Sequence, residues 1–216
     1  MDKREIAILS YEHDGSREGY YLESLGEEFE INVPPENVYM AICAHHEAKK
    51  LTEDGLEVSI LTVGGSAISN KRIVDRLNEI TETEIPVQAD TSSNSVASNI
   101  ESLTEYESPF IIICQKFAKL RAYIHSNCHL GKDKFELKDW ETYIEENELS
   151  EFENSLIQEL SSLRHIPVQR KIAEGVLTLF AYLDPKDGLT TTIAALRQKL
   201  RRKDPKDNIF NKSGLS

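Results

Sequence analysis

The sequence predicts an α/β protein of the Rossmann-like, doubly wound kind, with a mainly parallel sheet and a helical appendage at its C-terminal end. Two observations predict this. Short apolar runs alternate with stretches of helical period as far as about residue 130. Several of those runs are apolar on both faces, as strands covered by helices on two sides must be.

The elements follow in order. Glu5 to Ser10 (EIAILS) reads as a first buried strand, followed by the polar loop YEHDGSREG. The segment up to Val33 has no clean period, and Gly15, Gly19 and Gly26 point to an extended loop with one short helix. Pro35 suits the first position of a helix, because its missing N–H is not needed there. In that helix Val38, Ala41, Ile42, Ala44, Ala48 and Leu51 form an apolar stripe, and Asp54-Gly55 ends it. Val58 to Val63 (VSILTV) is a strand, Gly64-Gly65-Ser66 a tight turn and Lys71 to Ile80 a helix. Ile85 to Val87 reads as a short strand, and the polar loop ADTSSNS leads into a helix through Leu103. Ser108-Pro109 turns the chain into the strand FIIIC, residues 110 to 114, with a helix from about Phe117 to His125. One mainly parallel sheet with FIIIC in its interior is therefore expected.

After Gly131 the pattern changes to helical periods over 139–163, 167–182 and 189–202, with hardly any strand-like run; DPKDG links the last two. The division expected is a Rossmann-like domain over residues 1–135, a helical extension packed on it over 136–204, and a polar tail over 205–216.

Composition narrows the function. The chain has 216 residues and a net charge of −12, from 37 acidic against 25 basic side chains. Such a surface repels phosphate backbones and anionic lipids, so neither nucleic acid nor membrane is an expected partner. No run approaches the roughly 20 apolar residues of a membrane helix. MDKREIAIL passes from charges straight into a strand without a small-residue cleavage site, so it does not read as a signal peptide. Three cysteines, none in CxxC spacing, read as reduced thiols of a cytoplasmic protein, with Cys43 and Cys114 as inert core residues.

In an open parallel sheet, ligands bind beyond the carboxyl ends of the strands. Three polar stretches fall at such ends: Gly64, Gly65 and Ser66; Asp90 with Ser92, Ser93, Asn94, Ser95 and Asn99; and Gln115, Lys116 and Arg121. Glycines let a ligand approach the backbone, free N–H groups at a helix start favour an anion, and Arg121 offers a planar fork to carboxylate or phosphate. The plainer reading makes GGS a turn, the serines an N-cap and Arg121 a solvated side chain. Three such stretches at successive strand ends favour a small-molecule site. Asp90 is the candidate base, should any reaction occur.

Other features carry less. His125, Cys128 and His129 lack usual zinc spacing, so no metal is expected. His45 and His46 are helix neighbours and cannot face one site. GxGxxG after the first strand, GxxxxGK[ST], GxSxG and HExxH are all absent, which removes classical dinucleotide, P-loop, serine hydrolase and zinc protease readings. The acidic stretch WETYIEENELSEFENS reads as a solvated helical face, with a protein-partner surface as the lesser reading.

LTVGG, then Asp90 and Ser93, then Asn99-Ile100, then CQKFAKLRA, in this order and spacing, resemble the YdcF/SanA-like family of Rossmann-like proteins. Gln115, Phe117, Arg121 and Ala122 match its Gln-x-Phe-His-x-x-Arg-Ala motif, and RHIPVQRKIAEGVLTLF is similar to the helix after an Ile-Pro step in the YdcF branch. The resemblance spans about residues 5 to 182. It implies a Rossmann-like fold and makes S-adenosylmethionine, or another adenosine compound, a candidate ligand. Ala118 and Ser98 stand where the family pattern carries His and Glu. The expected function is thus binding of a small nucleotide-like or anionic metabolite with little or no catalysis. A hydrolase or transferase acting on a phosphate-containing substrate is the first alternative, and a catalytically silent interaction module the second.

Overall fold

The computed structural model describes residues 3–10, 19–93, 95–163 and 168–186. Five parallel strands form one sheet in the order β3-β2-β1-β4-β5. They are β1 (Lys3–Leu9), β2 (Glu57–Val63), β3 (Val87–Asp90), β4 (Phe110–Cys114) and β5 (Phe135–Asp139). The order grows outward from β1 in both directions, which is the doubly wound arrangement. FIIIC lies inside the sheet, between β1 and β5, with all five residues buried.

The connections explain the two layers. Helices α1 (Pro35–Glu53) and α2 (Ala67–Thr81) lead from β1 to β2 and from β2 to β3. Their apolar residues share one core with Ile6, Ile8, Ile60, Ile111 and Ile113. Helices α3 (Val96–Ser102) and α4 (Lys119–His129) cover the opposite face, where Ile100 and Ala122 meet Ala7, Leu9, Leu61 and Ile112. Alternate residues of each strand thus enter opposite cores, as the two-residue period of a strand requires.

Four elements differ from the sequence reading, the last of them the segment over 139–163. The third strand is Val87–Asp90 and not 85–87. Pro86 has no N–H to give, and its carbonyl instead accepts from the Ile60 N–H at 2.8 Å, so the ladder proper starts one residue later. Helix α2 begins at Ala67, directly after the glycine turn, rather than at Lys71. After Gly131 the chain is not purely helical: β5 pairs with β4 from Phe110 opposite Phe135 to Cys114 opposite Asp139.

The segment expected as one helix over 139–163 divides into α5 (Trp140–Glu146) and α6 (Glu151–Leu163). The Asp139 side chain accepts the Thr142 N–H at 2.9 Å and caps α5. Both helices extend the α1 side of the core, where Tyr39 stacks on Trp140 at 4.2 Å between ring centroids. Helix α7 (Val168–Leu183) packs against α4 on the other face. The helix expected over 189–202 and the tail over 205–216 lie outside the described residues. Among the described residues, no helix is long and apolar enough to cross a membrane.

Candidate functional site at the carboxyl edge of the sheet

In a sheet of this order, connections leave β1 and β4 toward opposite faces, and the place between their carboxyl ends is where open α/β sheets bind ligands. Ser10 directly follows β1 there and Gln115 directly follows β4. Helix α1 also begins at this edge: only three residues separate Glu53 from Glu57, so the helix finishes at the amino edge of the sheet. Glu36 and Asn37, in its first turn, are buried at 2% and 1% exposure.

A hydrogen-bonded cluster ties the strand ends together. The Ser10 N–H donates to the Val63 carbonyl and the Gly64 N–H to the Asp90 carbonyl, each at 2.9 Å. Asn99 Nδ2 donates to the Ser10 carbonyl at 3.2 Å, and Ser93 Oγ donates to Asn99 Oδ1 at 2.6 Å. From α2, Asn70 Nδ2 donates to Ser10 Oγ at 2.7 Å. Gly64 has φ of +103°, and a Cβ there would lie 2.7 Å from Asn99 Nδ2. The open side of Gly64 is therefore filled by the Asn99 amide rather than left to a ligand.

Gln115 is different. Its side chain is completely buried, yet neither Nε2 nor Oε1 has a hydrogen-bond partner among the described residues. Leaving a buried amide unpaired costs about 1–3 kcal/mol, so an orphaned pair at a strand end calls for an explanation. Asn37 Nδ2 and Asn70 Oδ1 are orphaned at the same edge.

The other residues singled out in the sequence serve the local chain. Ser95 caps α3 in a reciprocal box with Ser98, its side chain accepting the Ser98 N–H at 3.1 Å. Asp90 is the last residue of β3, and its carboxylate accepts the Ser92 N–H at 2.8 Å. Burial alone would raise the Asp90 carboxyl, but hydrogen bonds from Ser92 and Ser102 outweigh it and hold the group below its ordinary value. Such a carboxylate is a weaker base than a free one. Gly65 is half-buried, and Ser66, fully buried, takes the N-cap of α2. The Lys116 N–H donates to Glu141 Oε2 at 2.9 Å, while its side chain is exposed. Arg121 is half-buried in the first turn of α4. Asn94 lies outside the described residues.

The structure thus joins Gly64, Ser93 and Asn99 and sets Gln115 beside them at one edge, whereas Asp90 and Ser95 are engaged in a turn and a cap. Sequence reasoning missed Ser10, Asn37 and Asn70. A signal for the last two exists: Asn37 falls on the stripe of Ala41, Ala44 and Ala48, and Asn70 on that of Val74 and Leu77. A polar residue on an apolar stripe marks a buried hydrogen bond or an open site.

Elsewhere, burial pushes the thiols of Cys43 and Cys114 up, and His125 Nδ1 lies 2.8 Å from the Pro185 carbonyl. Among the described residues, no group of three or more His, Cys, Asp or Glu is placed to hold a metal. Comparison with known proteins finds no matching family model, no matching curated protein and no matching solved structure.

Proposed function

We propose that this protein binds a small, nucleotide-like metabolite between the carboxyl ends of β1 and β4, with little or no catalysis. The observation that carries the reading is Gln115, fully buried directly after a central strand with both amide atoms unpaired among the described residues. A ligand with adjacent donor and acceptor atoms, such as the edge of a purine, satisfies a primary amide with two hydrogen bonds at once. The buried polar groups at this edge of the sheet are mostly neutral: Ser10, Asn37, Asn70 and Asn99. Neutral amides and hydroxyls suit a base and a ribose better than a row of phosphates, and the buried Glu36 carboxylate at this edge disfavours polyanions further. An adenosine compound bearing positive charge, of which S-adenosylmethionine is an example, fits that balance, and the resemblance to YdcF/SanA-like proteins leads to the same candidate. The depressed Asp90 carboxyl weakens the hydrolase alternative. A reducing, cytoplasmic setting belongs to the same proposal, supported by Cys43, Cys114 and Cys128 forming no disulfide.

The test is a thermal-shift and calorimetric series with adenosine, S-adenosylmethionine and ATP on the unaltered chain and on Gln115→Met. Methionine keeps the length of glutamine and removes the orphaned amide. The free variant is expected to be as stable as the parent or more so, and to lose ligand binding by at least about tenfold, the worth of one or two buried hydrogen bonds. Undiminished affinity in Gln115→Met would remove the reading.

A further inference from the structure

We propose that the outer edge of β5 is a docking site for an extended peptide strand, apolar on one face and acidic at both ends of that face. Among the described residues the sheet stops at β5, which pairs with β4 alone. An unpaired strand edge offers a row of backbone donors and acceptors to an incoming chain. Here the edge runs between two grooves. On the α4 side a groove of about 680 Å³ is walled by Leu120, Tyr123, Phe135 and Leu137. Leu120 and Tyr123 are 60% and 45% exposed, and the Tyr123 ring meets Phe135 edge-on at 5.9 Å. On the α5 side a polar groove of about 370 Å³ is lined by Glu136, Lys138, Thr142, Glu146 and Asn147. Leu137 and Lys119 border both. Successive side chains of a strand point to opposite faces, so a sixth strand laid along β5 drops one set into the apolar groove and the other into the polar one.

Charge selects the occupant. In a chain of net charge −12, three lysines line the apolar groove. Lys119 is spent on Asp139, at 2.7 Å. Lys116 and Lys132 have no ion-pair partner among the described residues, and they bracket the edge: Lys132 precedes β5, and Lys116 follows the carboxyl end of β4. Edge strands are commonly guarded by a charge of their own. The lysine within β5, Lys138, is instead drawn to Glu47 Oε1 at 2.9 Å, which leaves Glu136, on the polar-groove side, as the exposed charge of the strand and none on the apolar-groove side.

The probe is a capped, dye-labelled peptide, Glu-Thr-Val-Thr-Leu-Thr-Glu, whose glutamates and apolar residues share one face. It is titrated against the full chain by fluorescence anisotropy, with amide hydrogen exchange followed through residues 135–139. Binding with slowed exchange in β5 is expected. The double variant Lys116→Glu/Lys132→Glu should weaken it several-fold to about tenfold, the sum of two exposed charge pairs, and should prefer the lysine-ended peptide. A peptide with proline at its centre should not bind, because it cannot complete the ladder. No binding of the glutamate-ended peptide, binding without a change of exchange in β5, or equal binding of the proline peptide would each overturn the proposal. Should the double variant not fold, the proline peptide against the unaltered chain decides alone.

Discussion

Asn99 occupies the space that a side chain at Gly64 would need. Its Nδ2 donates to the Ser10 carbonyl at 3.2 Å and would stand 2.7 Å from a Cβ at Gly64, whose own φ is +103°. The glycine at the end of β2 and the asparagine of α3 are thus two halves of one fitting that holds the end of β1.

Gly64→Ala should therefore be among the costliest small substitutions in the chain. It meets both a left-handed backbone and a close contact, so a loss of roughly 1–3 kcal/mol is expected from strain alone, before any clash is relieved. Urea unfolding followed by circular dichroism should show a lower midpoint with an unchanged slope. Gly55→Ala, with φ of +82° but nothing within 4 Å of the added Cβ, separates the two effects and should cost less.

Asp90→Asn should be mild. The asparagine oxygen still accepts the Ser92 N–H that closes the turn at 2.8 Å. A change of at most about 1 kcal/mol in unfolding free energy is expected, the difference between a charged and a neutral acceptor. Phosphoesterase assays on generic substrates should give little turnover with either form. Vigorous hydrolysis abolished by Asp90→Asn would show that the carboxylate is a base and not a turn residue.

Tyr143→Phe tests the link between α1 and the end of the sheet. The Tyr143 hydroxyl donates to Glu47 Oε2 at 2.8 Å, and Lys138 donates to Oε1 at 2.9 Å. Burial would raise the Glu47 carboxyl, and these two bonds pull it below its ordinary value instead. Removing one donor from a buried carboxylate should cost about 1.5–3 kcal/mol, read from chemical denaturation at neutral pH.

Stability should decline through mild acid in two successive windows. His45 is 1% exposed, with Nε2 3.0 Å from the Thr83 hydroxyl, and burial lowers its pKa to about 4. Between the ordinary histidine value of 6.5 and about 4 the unfolded chain takes the proton first, so stability falls as pH falls, by up to roughly 3 kcal/mol. Burial would raise Glu153, but hydrogen bonds from His46 and Ser150 bring it down to about 2. Its contribution is present above the ordinary 4.5 and is lost as pH falls toward 2. Midpoints of thermal unfolding from pH 8 to 3 should hold steady at first and then drop below about 6.5. His45→Gln should flatten the upper window and leave the lower one in place.

How far each feature could be read in the sequence depended on how much of it was local. FIIIC announced an interior strand because all five residues are apolar, and burial on both faces leaves no other composition open. FELKD at 135–139 gave no such signal: it is half-exposed at the sheet edge, where charged residues are tolerated, and only its pairing with β4 makes it a strand. Pro86 shifted β3 by denying the ladder a donor, a rule available in advance but outweighed by the apolar Ile85. At the site, strand ends and turn residues marked Gly64, Ser93, Asn99 and Gln115. What the letters did not encode was which side chains spend their hydrogen bonds on one another. Asn99 does so, Gln115 does not, and the contrast arises from distances between segments far apart in the chain.

The middle place of β1 sets the order in which the chain can assemble. Lys3 lies opposite Glu57 and Glu5 opposite Phe110, so the strand made first waits for partners synthesised long after it. Closing those loops must precede the reward of pairing, which slows folding relative to a protein built from near neighbours. During synthesis the β1–β2–β3 half, with its two helices, can gather before β4 has left the ribosome, but the β1 flank that later receives FIIIC then stands bare. A nascent chain arrested before residue 110 should consequently be the aggregation-prone and chaperone-dependent stage in the life of this protein.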